Sequence, residues 1–123
     1  GVYNFVGENI YEATKSHFAF RFLDFVQVKG KNIPVKVYEL VSDKKNIESD
    51  TVDLIKVFEK GLDHYFKQEW DDAIMKFKES ENLEDHFESR NTTPSKIYIE
   101  RCSMFINNPP GKEWDGVWKM IAK

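Results

Sequence analysis

The sequence is poor in features that mark several large classes of protein. Cys102 is its one cysteine, which excludes a disulfide within the chain and is typical of a reducing compartment. No apolar run approaches the roughly 18 residues that cross a bilayer, so we expect this segment to make no membrane contact. We expect a cytoplasmic location, and the sequence leaves open a membrane anchor elsewhere in a longer parent protein.

An excess of positive charge is also lacking. The chain has 18 lysine and arginine residues against 21 aspartate and glutamate residues, for a net charge of −3. Proteins that bind nucleic acid gain much of their affinity by releasing counterions from phosphates, which requires a basic surface. We therefore expect no nucleic-acid partner.

Recognisable catalytic and metal-binding motifs are missing as well. The three histidines are far apart in sequence: His17, His64 and His86. The six glycines form no phosphate-binding loop, and no serine stands in a Gly-x-Ser-x-Gly turn. The acids Asp71 and Asp72 are typical of a first helical turn, where the helix dipole favours negative charge. We expect no metal site and no complete active site in this chain.

What the sequence does contain begins with two extended segments joined by a basic turn. Phe18, Phe20 and Phe22 alternate with less apolar residues, which predicts a half-buried strand, and the phase breaks near Leu23-Asp24, which predicts a bulge. Valines recur in the return segment after Pro34, a residue best tolerated where a strand begins or at a sheet edge. The pattern predicts a β-hairpin. Upstream, residues 3–10 are apolar enough for a short strand and residues 12–15 for a helical turn.

These segments carry a family resemblance. The passage from Glu12-Ala13-Thr14 through residues 18–24 to Val37-Tyr38-Glu39-Leu40 resembles the C-terminal end of the catalytic domain in class III adenylate/guanylate cyclases. The resemblance implies a parent enzyme that converts ATP or GTP to a cyclic nucleotide and pyrophosphate. It further implies that Lys29, in Val28-Lys29-Gly30-Lys31, contacts the nucleotide triphosphate.

The remaining catalytic residues of that family have no counterpart here. Its two metal-binding aspartates, its base-selecting residues and the Asn and Arg that stabilise the transition state match no position in this chain. The resemblance therefore implies Mg or Mn bound outside this segment. One lysine cannot supply the electrostatic stabilisation that phosphoryl chemistry requires, so we expect this chain alone to be inactive.

The second half of the chain has helical periodicity. After a polar stretch at 43–50, apolar residues recur every three or four positions, with Asp50 or Thr51 as the expected cap. A second apolar stripe begins at Trp70. Thr93-Pro94 predicts the start of a third helix, because threonine caps helices well and proline is favoured at the first helical position. The third helix is predicted to end at Pro109-Pro110-Gly111.

The first two predicted helices look like a tetratricopeptide repeat. The match rests on the order Gly61, Tyr65, Trp70, Ala73 and Phe77, in which small residues lie where helices approach closely and aromatic residues fill the space between them. It is partial, because the tyrosine falls one residue late and Gln68 replaces the usual loop glycine. A single repeat cannot bury its own apolar face, so the third helix is expected to complete the core.

Two tryptophans lie near the C-terminal end of the sequence. Trp114 and Trp118 follow the double proline, and two indoles this apolar are expected to fold back over the helices as a cap. The passage from Trp70 to Trp118 also resembles the tail that follows the catalytic domain in many bacterial cyclases.

These observations predict an α+β fold in which a β-hairpin remnant of a cyclase catalytic domain packs with a tetratricopeptide-like antiparallel helical module. The expected boundaries are 1–42 for the end of the catalytic domain, 43–50 for a linker and 51–123 for the helical module. In the parent, the module would regulate activity, form a homodimer or bind a protein partner. The alternative is a stand-alone protein-interaction module without a catalytic role.

Overall fold

The computed structural model describes residues 5–27, 30, 33–84 and 92–118. In this part of the chain, three strands and four helices form an α+β fold, which confirms the expected class. The elements in chain order are β1 (Phe5–Gly7), α1 (Glu8–Thr14), β2 (Phe18–Val26), β3 (Val35–Asp43), α2 (Ser49–Phe66), α3 (Trp70–Leu83) and α4 (Pro94–Asn107). None of the described helices combines the length and the apolarity that a bilayer span needs.

The sheet is antiparallel with strand order β1-β3-β2, so β3 is central. β2 pairs with β3 in a register that sets Arg21 opposite Glu39 and Phe22 opposite Tyr38. The register shifts between Phe22 and Asp24, which confirms both the predicted hairpin and the predicted bulge. Lys29 lies outside the described residues.

The N-terminal prediction was partly wrong. The strand spans only Phe5–Gly7, and Glu8 already begins α1, so residues 8–10 are helical rather than extended. Packing explains the difference, because α1 sets Tyr11 against the sheet, where its ring stacks on Tyr38 with a centroid distance of 3.9 Å. A short apolar run does not by itself distinguish a strand from a helix.

Helix starts follow the sequence to different degrees. Thr93 caps α4 as predicted: its hydroxyl oxygen accepts a hydrogen bond from the backbone N–H of Lys96, and Pro94 follows it. The predicted cap of α2 was wrong, since that helix begins at Ser49 and Glu48 at the cap position makes no side-chain capping bond. Strong helical periodicity downstream lets α2 extend into the polar stretch without a cap.

The core lies among α2, α3 and α4. Its fully or nearly fully buried members are Phe58, Leu62, Tyr65, Ala73, Phe77, Tyr98 and Cys102. Gly61 lets α2 and α3 approach closely, because a Cβ atom there would lie 2.7 Å from Cε1 of Phe77. This confirms the reason for a small residue at that position. Trp114 packs against the same core, which confirms the predicted cap at that residue.

Candidate functional site

A buried ion-pair network joins the hairpin to the helical module. Arg21 of β2 faces Glu39 of β3, and its Nη2 and Nε lie 2.6 and 3.0 Å from Oε1 of that glutamate. Its Nη1 donates to Oε2 of Glu84 at 2.8 Å, and Glu84 directly follows α3. Only 2% of Arg21 is exposed. One guanidinium therefore links two strands of the sheet to the end of a helix.

The charges of this network are compensated by further polar contacts. Burial alone would lower the pKa of Arg21, but hydrogen bonds and charge from Glu84 and Glu39 outweigh it, and the pKa is raised. Glu84 also accepts bonds from the backbone N–H and hydroxyl of Ser95, at 3.2 and 2.7 Å. The guanidinium carbon of Arg21 lies 4.7 Å from the ring centre of Phe58, in cation–π contact. Glu39 and Glu84 therefore share the Arg21 cation, and Glu84 has two further donors on Ser95.

A second contact lies at the bulge. The hydroxyl of Tyr98 in α4 donates to the backbone carbonyl of Leu23. A bulged residue is left out of the strand ladder, so its backbone is free to bond elsewhere. Burial, followed by the negative charge of Asp24, raises the pKa of Tyr98 well above its usual value, so its hydroxyl stays protonated and remains a donor.

A third contact follows one residue later on β2. Nη2 of Arg101 lies 2.8 Å from Oδ2 of Asp24. The guanidinium carbon of Arg101 lies 4.7 Å from the ring centre of Tyr98 and 5.2 Å from that of Trp118. Its Nε and Nη1 are buried and make no hydrogen bond of good geometry with a described residue. Cation–π attraction offsets part of the cost of burying these donors.

We call Glu84, Tyr98 and Arg101 the clamp residues. They bind β2 at Arg21, Leu23 and Asp24, respectively. They come from the end of α3 and from α4, two parts of the helical module. The module therefore holds an extended strand of its own chain through two ion pairs and one hydrogen bond to the strand backbone.

The structure brings together most of the residues that the sequence singled out in the helices. Gly61, Tyr65, Ala73 and Phe77 meet in the core, and Trp70 packs at its edge, where its ring stacks on Phe105. These residues hold the fold together. At the hairpin turn, Gly30 has the positive φ (86°) that the basic turn predicted, while its neighbour Lys29 is outside the described part of the chain.

Sequence reasoning missed the buried network. Glu39 stood within the motif that carried the cyclase resemblance, and Arg21 stood in the alternating strand, but neither was assigned a role. A charged residue in the middle of an aromatic strand, with an opposite charge in the partner strand, is the signal that could have paired them. Glu84 offered no such signal, because it follows a helix rich in acids.

A cleft of about 390 Å³ adjoins the clamp residues, between the sheet and α4. Apolar residues dominate its walls: Phe5, Leu23, Val26, Val37, Pro94 and Ile97. The charged groups among its lining residues are Asp24 and Arg101, which bind each other. The cleft therefore presents apolar surface rather than an assembled catalytic group.

One cluster outside this interface could hold a metal ion. His64, Glu69 and Asp72 each offer a ligand atom, and these atoms lie within 4.8 Å of one another. The sequence analysis did not connect them, because they come from two helices and the turn between them.

Searches of protein-family models, curated proteins and solved structures each returned no match to this chain.

Proposed function

We propose that this chain is the C-terminal region of a class III nucleotide cyclase and that its helical module fixes the position of the hairpin that carries Lys29. The motif residues that resemble the cyclase family lie on α1 and on the two hairpin strands. The observation that supports a positioning role is the Arg21 network, which binds Glu39 inside the hairpin and Glu84 in the module.

A positioning role follows from what a phosphate-contacting lysine requires. An isolated two-stranded hairpin is marginally stable in water, so its tip is poorly placed unless packing restrains its base. Asp24, the last β2 residue held by a clamp residue, precedes Lys29 by five positions in the sequence. Loosening the clamp would loosen the strand that leads to the lysine, and a misplacement of about 1 Å is enough to weaken a catalytic contact.

In the parent, the ammonium group of Lys29 would neutralise part of the triphosphate charge as pyrophosphate forms from ATP or GTP. The Mg or Mn of the family would be held by residues outside this chain. We place the protein in the cytoplasm and propose a homodimer or a protein partner for the helical module.

The test uses the parent enzyme with the single substitution Lys29→Ala. We expect turnover to fall by about 10²-fold, the loss typical of removing one group that stabilises developing charge. Lys44→Ala is the matched control, because Lys44 is an exposed lysine just after β3 and should leave turnover unchanged. Unchanged turnover of the Lys29 variant would refute the assigned contact.

The positioning role has its own test. In the parent, Glu84→Gln keeps the side-chain shape but removes one of the two charges that hold Arg21, so we expect a lower kcat, measured at a temperature at which circular dichroism shows the variant to be folded. Truncation after Asp43 removes the whole module and should reduce both activity and dimerisation. If the truncated enzyme were as active and as dimeric as the intact one, the module would have neither role.

The interaction-module alternative is favoured by one observation. The clamp residues hold an extended strand through its backbone and its side chains, the two kinds of contact by which extended peptides are recognised. In this chain the bound strand is β2. Loss of dimerisation on truncation, together with an unaffected Lys29→Ala variant, would favour this alternative.

A further inference from the structure

The turn between α2 and α3 gathers three side chains with metal-ligating atoms. His64 is in the last turn of α2, Glu69 is the cap residue of α3 and Asp72 is in the first turn of α3. Nδ1 of His64 lies 2.7 Å from Oε1 of Glu69, and an Asp72 carboxylate oxygen completes a group spanning at most 4.8 Å. A nitrogen and two carboxylate oxygens converge on one small region of surface.

The backbone that carries these residues is fixed from several directions. Gln68 adopts a φ of 64°, and the next N–H, that of Glu69, donates to the carbonyl of His64 at 2.8 Å. The side-chain amide of Gln68 donates to the carbonyl of Gly111 at 2.6 Å. The backbone under the three side chains is therefore held in place before any ligand binds, which lowers the entropic cost of binding.

At this turn, the acidic side chains outnumber the one basic side chain, Lys67. Glu69 has His64 as its polar partner, whereas the exposed carboxylate of Asp72 forms no hydrogen bond or ion pair with any described residue. Its neighbour Asp71 adds a further negative charge. A divalent cation would neutralise this excess of negative charge.

The three ligand atoms and the exposure of their side chains suit a transition-metal ion. Imidazole and carboxylate groups bind Zn²⁺ at about 2.0–2.2 Å, which sets neighbouring donors roughly 3.3 Å apart in a tetrahedral site. To bind Zn²⁺, the 2.7 Å distance between His64 and Glu69 must lengthen slightly, and the longer distances within the cluster must shorten. Rotation of the exposed side chains allows both changes. His64 and Glu69 are 33% and 47% exposed. Solvent access leaves the remaining coordination positions to water.

We propose that His64, Glu69 and Asp72 form a Zn²⁺-binding site at the α2–α3 turn. The bound ion joins the end of one helix to the start of the next and thereby stabilises the folded chain, since a ligand that binds only the native state raises the melting temperature.

Calorimetric titration of the chain with ZnCl₂, with MgCl₂ as the comparison, tests the site. We expect one saturable Zn²⁺ site, a rise of several degrees in melting temperature and at least tenfold weaker binding in both His64→Ala and Asp72→Asn. His17→Ala is the matched control, because His17 is exposed and outside the cluster.

Absence of saturable Zn²⁺ binding would overturn the proposal. Binding that survives His64→Ala undiminished, or that is lost in His17→Ala, would overturn it equally, because the ion would then be elsewhere. The readout involves no cyclase activity, so its outcome is independent of the function proposed above.

Discussion

Replacing Arg21 by methionine should destabilise the chain severely. The substitution keeps much of the side-chain volume but leaves the carboxylates of Glu39 and Glu84 without their shared cation, at 9% and 1% side-chain exposure. Removing one partner of a buried ion pair typically costs about 3–5 kcal/mol. With about 2.1 cal/mol/K of unfolding entropy per residue, this predicts a melting temperature lower by about 12–19 °C.

Urea unfolding followed by circular dichroism measures this loss of stability. Lys36→Met is the matched control, because the ion pair of Lys36 with Glu8 is 3.9 Å long and about half exposed, so its loss should cost less than about 0.5 kcal/mol. An Arg21→Met variant within about 1 kcal/mol of the unsubstituted chain would refute the view that this network holds the hairpin to the helices.

Three further outcomes are expected. Gly61→Ala should destabilise by about 1–3 kcal/mol, measured by urea unfolding, because the new methyl would overlap the ring of Phe77. Tyr98→Phe should cost about 1–2 kcal/mol in the same assay, because the buried carbonyl of Leu23 loses its donor. Burial raises the pKa of the Cys102 thiol to about 12, so iodoacetamide at pH 8 should label it only as the chain unfolds.

Each of these outcomes has a comparison that can contradict it. Gly7→Ala meets nothing within 4 Å of the new Cβ, so its cost should be limited to about 1 kcal/mol from the N-cap position of α1, and an equal effect at Gly61 would argue against overlap. Tyr65→Phe should cost less than Tyr98→Phe, because the buried hydroxyl of Tyr65 makes no hydrogen bond of good geometry with a described residue. Rapid labelling of Cys102 in the folded chain would show that its site opens far more easily than its burial suggests.

Much of the fold could be predicted because its signals are local. Aromatic alternation predicted β2, its phase break predicted the bulge, and Thr93-Pro94 predicted the start of α4. Apolar spacing predicted α2 and α3, and Gly61 marked their closest approach. Local patterns of this kind depend on residues a few positions apart, which a single sequence displays directly.

The candidate site could not be predicted in the same way. Arg21 meets Glu84 only because α3 ends beside β2, and the separation between them is 63 positions. The turn that gathers His64, Glu69 and Asp72 depends on the positive φ of Gln68, a residue without a strong preference for that conformation. The predicted start of α1 was wrong for a related reason, because the contact of Tyr11 with Tyr38 of the sheet, 27 positions away, favours the helix.

The clamp residues also determine when the chain can finish folding during its synthesis. Leu23 and Asp24 leave the ribosome long before Tyr98 and Arg101, which follow them by 75 and 77 positions. At about 5–20 residues per second, β2 waits several seconds for its helical partners. Its aromatic side chains are exposed during that interval, so ribosome-associated chaperones would have a defined window in which to bind it.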